Sequence, residues 1–356
     1  MAISRSGDAI TRDLNDVNIA TRDHLIPKAV VAINEANIIS SRMLKKAKPW
    51  RGGELVKVIL DYGETSPQEM ESKYDPVVNQ NIDDFEQIYL KRYWVDDNIT
   101  MPWIDVHAGN SGKEKILKIT TSKVKAMTRG MKKKMSQMLF RAAGSAGSNQ
   151  MPSIYDWTQT TTSSTQIGGF SQDDIGGAYG SGGKFNWTPE VLDLSSDTVI
   201  YNDLINEESP YFIEALIRQQ MSLIAEKSGE EVNLIVMNQY LWDAWDTYLS
   251  RKDVGRMSDK KYDGGRTYIA FRGARAYAEA YSLGGAQNPS STSVISLLNE
   301  DYMGYHKFPE VDMKFTPWHL LENHKVYRAE MDWAGVYACT RRDVHGSIIV
   351  PVSEHE

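Results

Sequence analysis

The chain has 356 residues, a formal net charge of −7, 41% hydrophobic residues and a single cysteine, Cys339. One cysteine excludes an internal disulfide framework and a cysteine-built zinc site. No apolar run approaches the ~18 residues of a membrane-spanning helix, and the first residues lack the apolar core of a signal peptide. The length suffices for two or three compact units or one elongated one. Eighteen tyrosines and nine tryptophans are many for this size and suit large protein–protein interfaces.

Residues 1–24 are polar, without sustained periodicity, and read as an extended arm. Residues 25–47 suit a helix, with Val30, Ile33, Ala36, Ile38 and Met43 as its apolar positions and Lys45, Lys46 and Lys48 at its end before Pro49. Gly52 and Gly53 break the chain. Residues 55–62 and 85–95 each read as a strand. Between them lies a polar stretch holding Pro67 and Pro76, so the two runs form a long hairpin whose return leg continues through residues 99–103. An arm and a hairpin of this kind bury little surface in one chain, and the expectation is that neighbouring molecules stabilise them.

Residues 113–142 contain no proline and suit one helix of about 45 Å, at 1.5 Å per residue. Ile116, Val124, Met127, Met131, Met135, Met138 and Ala142 recur at helical spacing on one side. Lys115, Lys118, Lys125, Arg129, Lys132 and Lys133 gather on the other side, and Glu114 is the only acid of the segment. Gly130, in the middle, costs about 1 kcal/mol relative to alanine and marks a candidate bend. A solvated face on a core helix is the plain alternative for the basic side. An acidic chain with one strongly basic element points instead to a localised anionic partner.

Residues 144–184 are rich in Gly, Ser, Thr and Gln and read as surface loops. From residue 197 the pattern is α/β. Ser209 and Pro210 form a cap-and-first-turn pair for a helix that Gly229 ends. Residues 232–237 form a buried strand, and Asn238 caps a second helix with Leu241, Ala244, Trp245, Tyr248 and Leu249 on its apolar face. A charged, glycine-containing loop covers residues 251–266. Strands follow at 267–271 and 293–298, then at 324–332 and 335–341.

In this order the elements resemble the major capsid proteins of tailed bacteriophages, the Hong Kong 97-type fold that encapsulins share. The resemblance rests on the sequence of elements and on local texture, as in Ile99-Thr100-Met101-Pro102-Trp103 before the helix and Ala338-Cys339-Thr340-Arg341-Arg342-Asp343 near the end. It implies an α+β fold with an N-terminal arm (1–50), an E-loop (51–109), a peripheral domain with a spine helix (110–196, helix about 113–142), an α/β axial domain (197–330) and C-terminal strands returning to the peripheral domain (331–356). It also implies a structural, non-enzymatic subunit of an icosahedral or prolate head. The expected partners are copies of itself in pentamers and hexamers, scaffolding, portal and decoration proteins, and packaged double-stranded DNA held without sequence preference, with no membrane. Assembly is expected in the host cytoplasm and residence in the virion. A soluble α/β enzyme with an inserted hairpin and an encapsulin-like compartment are the alternatives.

No catalytic, cofactor-binding or metal-ligating set is expected. Residues 177–184 put five residues between the glycines of a would-be phosphate loop, and Phe185 stands where its hydroxyl residue belongs. The acidic pairs Asp83–Asp84, Asp96–Asp97 and Asp173–Asp174 lack further ligands in sequence. His319 and His324 read as structural, and Cys339 as a buried inert thiol. Lys73, Asn79 and Asn81 lie near the hairpin tip, without a residue-by-residue match to the lysine–asparagine cross-link of some relatives.

Overall fold

The computed structural model describes residues 18–19, 21, 25–29, 38–50, 52–53, 55–61, 85–104, 113–143, 150–159, 167, 187–197, 199, 201–252, 260–263, 266–321 and 324–351. Helices and strands interleave along the chain. They are α1 (Ile38–Lys45), β1 (Lys48–Pro49), β2 (Leu55–Asp61), β3 (Phe85–Lys91), β4 (Tyr93–Pro102), α2 (Lys113–Leu139), α3 (Ile154–Gln159), β5 (Glu190–Asp193), α4 (Tyr201–Ile205) and α5 (Ile213–Ser228). There follow β6 (Leu234–Met237), α6 (Gln239–Lys252), β7 (Lys260–Asp263), β8 (Arg266–Phe271), β9 (Ala274–Ala278), β10 (Thr292–Leu298), β11 (Met303–Lys307), β12 (Lys314–Leu320), β13 (Val326–Cys339) and β14 (Gly346–Pro351). The chain divides into two compact units, one of residues 1–52, 92–137 and 305–336, the other of residues 53–91, 138–304 and 337–356. The expected arm over residues 1–17 lies outside the described residues.

The first unit is built on a sheet in the order β1-β11-β13-β12, with β4 also paired to β13. β4 runs antiparallel to β13 from Tyr93↔Gly335 to Pro102↔Val326. Its side chains alternate, with Val95, Ile99 and Met101 buried and Trp94, Asp96 and Asn98 exposed, as the period of two in a one-sided sheet demands. The single strand expected over 85–95 is in fact two, separated at Arg92. There the guanidinium lies over the rings of Trp94 at 4.5 Å, Phe308 at 4.8 Å and Trp50 at 5.5 Å, a cation–π cluster that holds the chain where it leaves the hairpin and enters this sheet. The two strands expected over 324–332 and 335–341 are in turn one. Gly335 does not break β13, because a Cβ there would stand 2.9 Å from the His306 carbonyl oxygen and 2.8 Å from the Trp333 ring. It is a close-approach glycine.

The second unit holds a seven-stranded sheet in the order β5-β14-β10-β6-β9-β8-β7. Leu234 to Met237 of β6 are all buried, as expected for a strand covered on both faces. α5 and α6 supply Ile213, Leu216, Ile217, Ile224, Leu241, Ala244 and Trp245 to one cluster with Ile235, Ile295, Leu297 and Ile348. Gly229 ends α5 with φ +72°, its N–H donating to the Ala225 carbonyl. Asn238 caps α6: its Oδ1 accepts the Leu241 N–H at 3.0 Å while its Nδ2 donates to Ser293 Oγ at 2.6 Å. Ser209 and Pro210 do not open α5. The Phe212 N–H bonds back to the Ser209 carbonyl at 3.2 Å, closing a turn, and the helix starts at Ile213. β7 and β9 occupy positions the sequence had not marked as strands.

Two further elements depart from expectation. Residues 154–159, expected in a surface loop, form the helix α3, buried from Ile154 to Thr158. Ser153 and Asp156 make a capping box: the Ser153 N–H donates to Asp156 Oδ2 at 2.7 Å and the Asp156 N–H to Ser153 Oγ at 3.1 Å. The β2–β3 hairpin pairs in register from Leu55↔Lys91 to Asp61↔Phe85, and one face is not bare. Val56, Val58, Leu60, Ile88 and Leu90 are at most 3% exposed, so this chain already buries that face, contrary to the expectation that neighbours must. Leu55, Ile59 and Tyr89 on the other face remain exposed. The hairpin tip, with Lys73, Asn79 and Asn81, lies outside the described residues.

Gly346 tests the packing of the second unit. A Cβ there would stand 2.6 Å from the Glu190 backbone oxygen and 2.8 Å from Ile224 Cδ1. The backbone oxygen belongs to the parallel β14–β5 pair and has no rotamer to change. Gly346→Ala is expected to destabilise the chain by about 2 kcal/mol through this overpacking, read as a lower denaturation midpoint with an unchanged slope.

Candidate functional site

Helix α2 carries the groups that stand out chemically. Its 27 residues hold one continuous helix through Gly130, three residues shorter at the C-terminus than the pattern suggested. Val124, Met127, Met131 and Met138 are buried, so the apolar stripe faces inward; Met135 is half-buried and Ala142 lies past the helix end. Thr120 and Ser136 are buried beside them, positions the apolar count had not included. On the other side Lys118, Lys125, Arg129 and Lys133 are exposed and Lys132 is half-buried. Lys115 lies in α2, with its side chain outside the described residues.

These cations have few local counterparts. None of Lys118, Lys125, Arg129, Lys132 and Lys133 forms an ion pair among the described residues. Lys125–Arg129 and Arg129–Lys133 are like-charge pairs at i,i+4, and Arg129–Lys132 is one at i,i+3. Each such pair costs an isolated helix a few tenths of a kcal/mol. The helix therefore keeps a row of like charges from Lys125 to Lys133, and its one acid, Glu114, lies near the other end.

The row borders a groove of about 440 Å³. One wall is α2, through Thr121, Ser122, Val124, Lys125, Thr128, Arg129 and Lys132; the other is the helical segment 25–29, through Leu25, Lys28 and Ala29. Thr128 turns its hydroxyl away, donating to the Val124 carbonyl at 2.8 Å. The groove is thus apolar at its floor, through Leu25, Ala29 and Val124, with four cations and no acid among its lining residues. Lys28 was not singled out from the sequence. It lies about a hundred residues from its partners, and no local pattern links them.

Gly130 has a close neighbour. A Cβ at this position would meet Asp97 Oδ2 of β4 at 2.9 Å. Burial raises the Asp97 carboxyl above its ordinary pKa and Asp96 adds to the rise, against a backbone hydrogen bond from Asn98 that lowers it. Asp332, opposite Asp96 across β4 and β13, is raised by burial and by Glu330 and Asp96, and opposed by Lys314 and Arg328. No group of three metal-ligating side chains occurs among the described residues, and no described helix is long and apolar enough to cross a membrane.

No family model matches the sequence, and no curated protein matches it. Solved structures do. The capsid of cyanophage A-1(L) superposes with a TM-score of 0.55 at 11% identity, over 85% of this chain and 89% of that one. The chain has the Hong Kong 97-type capsid fold. The SrpI encapsulin of Synechococcus elongatus PCC 7942 is similar with a TM-score of 0.46 at 10% identity, over 92% of this chain and 97% of that chain. The structure named for Mycobacterium phage Bobi gives 0.48 at 11% identity, over 88% and 90%.

Within the Hong Kong 97-type fold the remaining candidates of the sequence fall as follows. Residues 177–184 and the pairs Asp83–Asp84 and Asp173–Asp174 lie outside the described residues. Cys339 is fully buried, its Sγ–H donating to the Arg341 carbonyl at 3.0 Å, and burial pushes the thiol up to about 12. A thiol at that value carries almost no thiolate near neutrality and is inert. His319 is exposed on β12, its ring 3.1 Å from the Pro317 carbonyl.

Proposed function

We propose that the chain is a structural subunit, not an enzyme, that self-assembles into the head shell of a tailed phage around double-stranded DNA. The superposition on the cyanophage capsid over 85% of the chain supports this reading most directly. In it, residues 1–50 act as the N-terminal arm, 51–109 as the E-loop, 110–196 and 331–356 as the peripheral domain, and 197–330 as the axial domain. Copies of the chain form pentamers and hexamers; scaffolding, portal and decoration proteins complete the head, which is assembled in the host cytoplasm. Expression of the chain alone and with a scaffold from the same genome, viewed by negative-stain electron microscopy, tests the proposal. Closed shells support it, and a small monodisperse oligomer in both preparations overturns it in favour of an enzyme. Shells filled with protein cargo and free of nucleic acid would mark an encapsulin-like compartment.

The basic side of α2 is proposed to face the packaged genome, where Lys118, Lys125, Arg129, Lys132, Lys133 and Lys115 neutralise phosphates irrespective of sequence. Such contacts release condensed counterions and weaken steeply with salt. Reversal of Lys118, Lys125, Arg129 and Lys132 to glutamate is expected to leave shells intact while lowering retained DNA several-fold. Full genome retention with undiminished stability in rising salt would refute the assignment.

Gly130 is proposed as the point where the spine helix changes its bend between precursor and expanded shells. In Gly130→Ala the Asp97 carboxylate, the end of a rotatable side chain, can move aside. The substitution then gains up to about 1 kcal/mol of helix propensity. Subunits of normal or slightly raised stability whose shells fail to expand are expected. Normal expansion removes the bend.

A further inference from the structure

Where β4 begins, three aromatic rings enclose one cation. The Arg92 guanidinium lies over Trp94 at 4.5 Å, Phe308 at 4.8 Å and Trp50 at 5.5 Å. Its Nε is buried without a hydrogen-bond partner, and among the described residues it forms no ion pair. A guanidinium carries five N–H donors in a planar fork that suits a carboxylate or a phosphate, and stacking on rings uses none of them. Trp94 is 53% exposed, so much of its ring is open to solvent. Lys48 lies two residues before Trp50 on the same extended run, and therefore on the same side. It is exposed and likewise forms no ion pair among the described residues. This end of the sheet thus sets unneutralised positive charge beside an open indole.

The same face changes sign along β4. Asp96 and Asn98 follow Trp94 at intervals of about 7 Å, the two-residue repeat of a strand, and both are exposed. Across the pairing with β13, Asp96 faces Asp332 and Asn98 faces Glu330. Burial, then Glu330 and Asp96, raise the Asp332 carboxyl, which reflects how closely these acids sit. A phosphate chain does not suit such a face. Duplex DNA carries one charge per about 1.7 Å of axis, so a stretch that reached Lys48 and Trp94 would also set phosphates against Asp96. The ligand that suits it carries a negative charge at one end, a flat ring rich in C–H groups beside it, and hydroxyls beyond. We infer that this face binds an acidic sugar, the uronic acid unit of a glycan. The sugar carboxylate pairs with Arg92 and Lys48. The C–H face of its pyranose ring stacks on Trp94, whose ring face is the negative part of the quadrupole. Its hydroxyls donate to Asp96 and Asn98. The inference concerns the surface of a single chain and does not depend on the shell reading.

The test titrates the purified full chain calorimetrically with hexamers of galacturonic acid and of mannuronic acid. The carboxyl-reduced hexamers, which keep the rings and hydroxyls and lose the charge, serve as comparisons, together with a short oligothymidylate. At least one acidic hexamer is expected to bind, and its reduced form at least tenfold more weakly. Trp94→Ala should weaken binding of the acidic hexamer at least tenfold, whereas Trp94→Tyr, which keeps a stacking ring, should stay within threefold of the parent. Lys48→Gln should narrow the preference for the acidic over the reduced hexamer at least threefold. Circular dichroism and a thermal midpoint for each variant exclude misfolding. Absence of binding by both acidic hexamers, equal binding of acidic and reduced forms, or indifference to Trp94→Ala each overturns the sugar site. Oligothymidylate binding that is tighter than that of either acidic hexamer and lost in Trp94→Ala overturns it too, and assigns the face to single-stranded nucleic acid. Failure of the chain to form shells, by contrast, would count against the proposed function and leave the sugar site standing.

Discussion

Arg342→Met is expected to destabilise the chain by about 3–4 kcal/mol, more than any other single substitution considered. Arg342 is 1% exposed. It closes the C-terminal end of α3, a helix of six residues whose last carbonyls have no partners within the helix. Its Nε donates to the Trp157 carbonyl at 3.0 Å and its Nη2 to the Asp156 carbonyl at 3.4 Å, while Ser347 Oγ donates to the Thr158 carbonyl at 3.1 Å. The guanidinium also lies 4.9 Å from the centre of the Trp187 ring, which meets Trp157 edge-on at 6.5 Å. Burial lowers the Arg342 pKa to about 10, against partial support from Cys339 and Asp156, so it remains a cation at neutral pH.

Methionine fills much of the volume and removes the cost of burying the charge, but it removes the hydrogen bonds to two buried carbonyls, at about 1–3 kcal/mol each. It also forfeits the cation–π contact, worth up to about 2 kcal/mol when desolvated. The two losses outweigh the recovered desolvation. Urea denaturation followed by fluorescence reads the effect locally, because Trp157 and Trp187 are both buried. Arg342→Lys keeps the charge without the planar fork and should fall between the two. A midpoint for Arg342→Met within 0.5 kcal/mol of the parent would show that α3 is held by something else.

The chain is expected to lose about 2 kcal/mol between pH 7 and pH 5, and about 4 kcal/mol by pH 3, through His345 alone. His345 is fully buried, and its Nδ1 accepts the Asn299 N–H at 3.1 Å. That bond places the ring proton on Nε2. Burial lowers its pKa to about 3, and the charges of Arg342 and Arg341 add to the fall. The unfolded chain therefore takes up this proton near pH 6.5 and the folded chain only near pH 3. Stability is complete above the first value and is lost progressively as the pH falls toward the second. Asp343, paired with Arg341 at 2.7 Å and raised by burial, titrates in the opposite sense and offsets part of the loss at the acid end. His345→Asn keeps an acceptor for Asn299 and removes the titration. Its stability should be lower at pH 7 but nearly flat to pH 5, so the two curves converge. Parallel curves would exclude His345 as the acid-sensitive group.

Much of the fold was legible because it depends on short-range rules. The α2 stripe of Val124, Met127, Met131 and Met138 and the buried run of β6 follow from period and apolarity, and the Gly229 and Asn238 caps from residue chemistry. The order of elements was enough to suggest the capsid fold. The capping box at Ser153 and Asp156 was also present in sequence, but the Gly- and Ser-rich flanks obscured it.

What sequence could not supply were contacts between residues distant along the chain. Arg342 reaches Trp157 across 185 positions, and no pattern of period 2 or 3.6 records such a pairing. Gly335 and Gly130 resemble a breaker and a hinge by composition. Only the tertiary structure shows that a side chain at Gly335 would meet the His306 backbone and the Trp333 ring, and that one at Gly130 would meet only the rotatable carboxylate of Asp97. The candidate site divides in the same way. The sequence by itself determined the basic stripe of α2, because helical geometry places those residues on one face. The tertiary structure decided that the stripe borders a groove, because only folding brings Lys28 and the apolar floor of Leu25 and Ala29 beside it.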